Sequence, residues 1–474
     1  MEKLTPDICV IGAGSGGLSV AAAAAAFGVP VALVEKNKMG GDCLYTGCVP
    51  SKALLAAAKR AELMRSGAPF GVIAQHVSVE FDRVHAHVHG VIAAIAPNDS
   101  AERFVGLGVK VIHGAARFTD RRTIAVGDQY EIRARRFVIA TGSKPTVPPI
   151  PGLDSAPYLT SETIFDLTEC PEHLIVIGAG PIGLELAQAF RRLGSAVTVL
   201  EAAQPLAKDD PECAAIVLDR LEREGVTLRI GAKVERVKGG REKMEVVFSA
   251  DGREATVEGS HVLVATGRQP AFEGLGLDAA GIRYASGGIV VNKKLKTSNA
   301  RVYAIGDVAG RVQSSHAANY HAGIVIRNAL FRLPAKVNDA AVPWVTFTEP
   351  ELAQTGLTEA AARQRGIKIR IVRWPYHDND RAQAERQTRG HIKVVTDRKG
   401  KILGATIVGA EAGELITTWT LAITQNLNIR ALSGIVMPYP TLSEIGKRAA
   451  LDFFTPSLTS SWVRRIIALL RLFG

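Results

Sequence analysis

The chain has 474 residues, 47% apolar and 22% charged, enough for about three domains; disordered, collagenous and disulfide-scaffold classes are excluded. Five cysteines, at positions 9, 43, 48, 170 and 213, are too few for a secreted disulfide framework and suit a reducing cytoplasm. The net charge of +11 is spread over dispersed basic residues, with small clusters at Arg121-Arg122 and Arg133–Arg136 and no aromatic-interleaved patch, so no nucleic-acid partner is expected.

From Ile8 to Val34 the chain is uncharged and long enough to span a bilayer. A membrane helix and a signal sequence are both rejected, because Asp7 precedes the stretch and Gly12, Gly14, Gly16 and Gly17 interrupt it. Such glycines suit a tight strand-to-helix turn. The pattern predicts an apolar strand from Asp7 to Ile11, the turn Gly12-Ala-Gly14-Ser-Gly16-Gly17, an Ala-rich helix, and a second strand ending at Glu35. The same unit returns 166 residues later: Val10–Glu35 aligns without a gap with Val176–Glu201, and 12 of the 26 positions are identical. Its turn is Gly178-Ala-Gly180-Pro-Ile-Gly183 and its acid is Glu201. This glycine spacing lets backbone approach a pyrophosphate at a helix N-terminus. Each acid falls 23 residues after its first glycine, where a carboxylate accepts hydrogen bonds from a ribose. Two dinucleotide sites are predicted.

Just after the first unit runs Gly40-Gly-Asp-Cys43-Leu-Tyr-Thr-Gly-Cys48-Val-Pro-Ser-Lys52. On a helix this spacing brings two thiols near each other. No further Cys or His follows in the next twenty residues, so a metal site is not expected; an inert buried pair is the alternative to a redox pair, which the glycines and Lys52 favour. His85, His87 and His89 read as a solvated polar face. Two later segments echo each other, FVIATGSKP (Phe137–Pro145, with Thr141 and Gly142) and VLVATGRQP (Val262–Pro270, with Gly267). Each is an apolar strand entering Ala-Thr-Gly that closes a nucleotide-binding unit. In VYAIGDV (Val302–Val308), Asp307 stands at a strand tip, where an open α/β sheet presents ligand-binding groups; a plain turn is the alternative.

In this order, the two glycine fingerprints, GGDCLYTGCVPSK, the paired ATG segments and the GD element resemble the flavin-dependent pyridine nucleotide-disulfide oxidoreductases over about residues 5–452. That family includes dihydrolipoyl dehydrogenase, glutathione reductase and mercuric reductase. The resemblance implies an α/β fold with two Rossmann-like dinucleotide-binding domains plus an α+β C-terminal dimerisation domain, hence a homodimer. The implied divisions are residues 1–150 (FAD-binding, first part), 151–270 (NAD(P)-binding), 271–340 (FAD-binding/central, second part) and 341–455 (dimerisation), with 456–474 as a basic amphipathic tail. It also implies FAD on Gly12, Gly14, Gly17, Glu35, Thr141, Gly142, Asp307 and Ser315, with Asp307 on the ribityl chain. NAD(P)H is implied on Gly178, Gly180, Gly183, Glu185, Glu201 and Gly267, and Lys52, near flavin N5, is implied to pair with Glu185. Cys48 is implied as the charge-transfer thiolate and Cys43 as the interchange thiol, while Cys9, Cys170 and Cys213 read as structural. NADH is expected over NADPH, since Glu201 repels a 2′-phosphate and no arginine immediately follows it, although Arg191 and Arg192 lie on the preceding helix.

The chain departs from the family at Met437-Pro-Tyr439-Pro-Thr-Leu-Ser-Glu444. Members acting on disulfides place a His-Pro pair and a glutamate here, reaching across the dimer; this chain keeps Glu444 but has Tyr439 for the histidine. A phenol stays protonated at neutral pH and is a poor base for a thiol. The acceptor is therefore expected to be that of a mercuric-reductase-like enzyme, with dihydrolipoyl dehydrogenase as the alternative and His316 or His321 as substitute bases. Mercuric reductase carries a C-terminal cysteine pair, and here no cysteine follows Cys213. Beyond the resemblance, Ser461–Gly474 places Trp462, Ile466, Leu469, Leu470 and Phe473 on one helix face with Arg464, Arg465 and Arg471 and no acid. This stripe either packs on the dimer surface or makes a weak peripheral contact with the inner face of a membrane. The latter would suit an electron-transfer or redox-sensing flavoprotein.

Overall fold

The structure, a computed structural model, describes residues 1–240, 243–458 and 460–473. Thr459 and Gly474 of the predicted tail lie outside them. The chain divides into two compact units, one of residues 1–203 and 228–339, the other of 204–227 and 340–474.

In the first unit, both halves of the repeat form sheets with the same arrangement of three parallel strands. Ile8–Ile11 is flanked by Val31–Glu35 and Arg136–Ile139, with Lys110–His113 and Val302–Ala304 at the edges. His173–Ile177 is flanked in the same way by Ala196–Glu201 and His261–Val264. Strands buried on both faces must be apolar at nearly every position, as Ile8-Cys9-Val10-Ile11 and Leu174-Ile175-Val176-Ile177 are. The equivalence extends to single bonds, since Gly12 N donates to Val34 O and Gly178 N to Leu200 O, both at 2.8 Å. The uncharged stretch resolves as strand, helix Ser15–Ala26 and strand, as its glycines predict. Beyond their turns, the two ATG segments run into short strands, Ser143–Pro145 and Arg268–Pro270, that pair antiparallel with each other. This join between the nucleotide-binding halves lies outside what either motif predicts alone.

The second unit is built on a five-stranded antiparallel sheet, ordered Trp344–Thr346, Glu351–Gly356, Ile402–Gly409, His391–Asp397 and Ile369–Pro375. Helix Ala412–Thr424 covers it and inserts Trp419 into a core that also holds fully buried Tyr376. Helix Pro211–Arg223, just beyond Glu201 in sequence, belongs to this unit, where buried Lys393 reaches Asp210 at 2.7 Å and Glu212 at 3.1 Å. The tail forms helix Ser461–Leu470, capped by Ser460, whose hydroxyl accepts from Val463 N. Its side chains remain largely uncovered, with Trp462, Leu470 and Phe473 exposed and Ile466 half-buried. Among the described residues no helix is long and apolar enough to cross a membrane.

Candidate active site

Sterics build the two cradles. Gly12 sits at φ +102°, and a Cβ there would lie 2.5 Å from Ala140 O; one on Gly17 would lie 1.9 Å from Gly12 O. Gly178 and Gly183 repeat this, with Cβ positions 2.5 Å from Ala265 O and 2.1 Å from Gly178 O. Only glycine lets each helix start close against its strand. Gly14 and Gly180 face open space, and no side chain caps either helix, so N-terminal N–H groups are presented toward that space. Glu35 accepts from Ala13 N at 2.6 Å and Asn37 N at 2.7 Å, while Glu201 accepts from Ala179 N at 2.7 Å and Ala203 N at 2.8 Å. Each carboxylate thus braces its glycine turn, and its oxygens keep lone pairs for ribose hydroxyls. An uncapped helix start, a side-chain-free turn and a braced acid fit a dinucleotide in both places.

The cysteines lie on two helices rather than one. Cys43 is in the short helix Gly41–Tyr45, and Cys48 opens helix Cys48–Arg65 after a break at Thr46-Gly47. Both thiols are free and hydrogen-bonded to each other. The Cys43 thiol, aided by Ser315 and Lys52, brings Cys48 down to about 6 against the opposing effect of burial. The same bond, together with burial, pushes Cys43 far up. Both effects favour the thiolate at 48 and the thiol at 43. Ser315, expected among the FAD residues, stands with Oγ 3.3 Å from Cys48 Sγ. Lys52, one helical turn after Cys48, donates to Glu185 at 2.8 Å; Glu185 is buried on helix Pro181–Leu193, behind the second fingerprint.

Asp307 opens a network that no motif announces. It accepts from Ser143 Oγ at 2.6 Å, and Ser143 Oγ accepts in turn from Arg268 Nε at 2.8 Å. Arg268 also pairs with Asp42, next to Cys43. Arg268, Ser143 and Asp42 stand inside quoted motifs, but spacing alone cannot reveal their contact. Thr141 donates to Ala271 O, and Gly142 and Gly267 take positive φ at the ends of their ATG strands. His321, weighed above as a base, is fully buried and accepts from Gly306 N at 3.1 Å, bracing the turn that presents Asp307. Burial and then Arg311 bring it down to about 4, so it stays neutral. His316 is exposed, its ring nitrogen 3.2 Å from Ser314 Oγ.

His85 and His89 lie with ring centroids 4.2 Å apart, and among the described residues no group of three metal-ligating side chains occurs. Cys9 and Cys213 are fully buried and Cys170 partly so, and burial raises all three thiols. Tyr439 and Glu444 belong to the second unit. Tyr439 is 68% exposed and donates its hydroxyl to Asp380 at 2.6 Å; Glu444 opens helix Glu444–Asp452. That hydrogen bond, and then the charges of Asp380 and Glu444, raise the phenol above its ordinary value.

The family model for pyridine nucleotide-disulphide oxidoreductases matches residues 6–322, and the model for that family's dimerisation domain matches 342–450. The chain belongs to this family. A mercuric reductase from Bacillus cereus is 37% identical over 94% of this chain and 71% of its own. A dihydrolipoyl dehydrogenase from Staphylococcus aureus is 35% identical over 94% and 96% respectively. Among solved structures, the Cu(II) complex of the HOCl-induced flavoprotein disulfide reductase RclA from Escherichia coli matches with a TM-score of 0.85 at 29% identity, covering 97% of this chain and all of that one. As a family member, the protein is a FAD-dependent oxidoreductase that uses a pyridine nucleotide and carries a dimerisation domain.

Proposed function

We propose that the protein, as a homodimer, oxidises NADH and delivers electrons through Cys43 and Cys48 to a thiolate-bound metal ion, a mercuric-reductase-like activity. The observation that carries this reading is Tyr439, hydrogen-bonded to a carboxylate where members that exchange disulfides place a histidine. A protonated phenol is no base for a thiol, but its oxygen can stabilise a cationic centre held by sulfur. The mercuric reductase relatives and the copper-complexed structural neighbour support a metal-ion acceptor.

Gly12, Gly14, Gly17 and Glu35 would hold the ADP half of FAD, with Asp307 and the Thr141-Gly142 turn on the remainder. Gly178, Gly180, Gly183, Glu201 and Gly267 would hold the nucleotide. Bound FAD supplies the two-electron chemistry that links a reduced nicotinamide to a disulfide. Lys52, fixed by Glu185, and Ser315 hold negative charge at Cys48, while Cys43 keeps the proton and serves as the exchanging thiol. NADH oxidation by the holoenzyme with mercuric ion in excess thiol, low-molecular-weight disulfides, quinones or oxygen tests the reading: mercuric ion should be the best acceptor, and preference for a disulfide or quinone would overturn it.

NADH should exceed NADPH in kcat/KM by about tenfold or more, because Glu201 opposes a 2′-phosphate. Comparable values for the two nucleotides would remove that assignment.

A second reading concerns where the acceptor is met. The uncovered apolar side chains of helix Ser461–Leu470, beside Arg464, Arg465 and Arg471, favour weak attachment to an anionic membrane. Full-length protein should co-sediment with anionic vesicles at low salt, and a chain ending at Thr455 should not. Equal sedimentation, or a truncated chain that fails to dimerise, would assign the stripe to protein packing.

A further inference from the structure

Asp380 belongs to none of the motifs, yet it holds the functional group of Tyr439. The preceding residue, Asn379, is 4% exposed and caps helix Asp380–Ala384, accepting from Ala382 N at 2.9 Å. Its amide also donates to Thr441 O at 3.0 Å. Neighbouring side chains at one helix start thus grip the 439–441 segment at two points, one on the phenol and one on the backbone. A two-point grip fixes the direction of the hydroxyl as well as its position.

A phenol has one proton to donate, and a carboxylate can only accept it. With that proton committed in a charge-assisted hydrogen bond, the oxygen offers lone pairs alone to any further partner. We propose that Asp380 is the positioning residue of the Tyr439 hydroxyl and that it sets acceptor specificity: the oxygen it presents favours a thiolate-bound metal cation over a quinone, whose carbonyl oxygens need a hydrogen-bond donor. This inference rests on the reading that Tyr439 contributes to the acceptor site. Around the phenol, Asp380 and Glu444 supply negative charge and Arg448 opposes them more weakly. The net field there favours a cation and holds the phenolic proton in place.

The test compares kcat/KM of the holoenzyme for mercuric ion in excess thiol with that for a water-soluble benzoquinone, in the parent, D380A, D380E and Y439F. D380A frees the hydroxyl to donate, and the mercuric-to-quinone ratio should fall roughly 10-fold or more. D380E restores the acceptor and should return the ratio to within about threefold. Independently of turnover, the ultraviolet phenolate titration of Tyr439, taken as the difference between each protein and its Y439F counterpart, should move to lower pH in D380A. If D380A does not fold, D380N carries the same expectation with a change of about threefold. Loss of mercuric turnover in Y439F, with ratio and titration unmoved in the Asp380 variants, overturns the inference. Unchanged mercuric turnover in Y439F instead overturns the acceptor-site reading beneath it.

Discussion

Cys48→Ser should abolish the long-wavelength charge-transfer band that two-electron reduction of the holoenzyme develops, and Cys43→Ser should retain it. The expectation follows from the polarisation of the pair: Cys48 receives hydrogen bonds from Cys43 and Ser315 and lies near the Lys52 ammonium, whereas Cys43 is driven to keep its proton. A thiolate lowered to about 6 is fully formed above that pH and is lost as pH falls through it, so the band should titrate with a midpoint near 6. Serine at 43 still donates a hydrogen bond, which leaves the midpoint close to its parent value. Ser315→Ala removes a donor and should move it upward, toward the ordinary thiol range. Turnover with mercuric ion or a disulfide should be lost in both cysteine variants, because a single sulfur cannot store the electron pair as a dithiol. A band retained in Cys48→Ser and lost in Cys43→Ser would reverse the two roles.

Dihydrolipoamide should be a poor substrate, and Tyr439→His should improve its kcat/KM by on the order of 100-fold, the usual worth of a positioned general base. The parent residue is doubly unsuited. A phenol titrates near 10, and the Asp380 hydrogen bond raises Tyr439 further, so deprotonated phenolate is scarce at neutral pH. An imidazole at 439 would instead titrate near 6.5. The measurement is steady-state NAD reduction across pH. The histidine variant should gain an acid limb that the parent lacks. Efficient turnover by the parent would mean that another group supplies the base. His316→Ala would then be the deciding variant, since His316 is exposed whereas His321 is buried and neutral in the Gly306 turn.

The parts of the molecule legible in the sequence are those set by short-range backbone sterics. A glycine at φ +102° and another whose Cβ would strike its carbonyl leave a fingerprint within six residues; with the acid 23 residues on, strand, helix and braced turn follow locally in both copies of the repeat. The cysteine pair was legible for the same reason, although the sequence does not reveal that a break at Thr46-Gly47 sets the thiols on two helices. Tertiary structure alone decided the contacts between distant side chains. Arg268 meets Asp42 across 226 residues of chain, Ser315 meets Cys48 across 267, and Asp380 takes the Tyr439 hydroxyl across 59. The partner of a buried or oriented polar group depends on which elements packing brings together, and neither charge nor spacing along the chain encodes that choice. Sequence therefore located two glycine turns with their braced acids and a pair of neighbouring cysteines. The polarity of that pair and the orientation of Tyr439 came from the fold, because each depends on a hydrogen-bond partner supplied by another element.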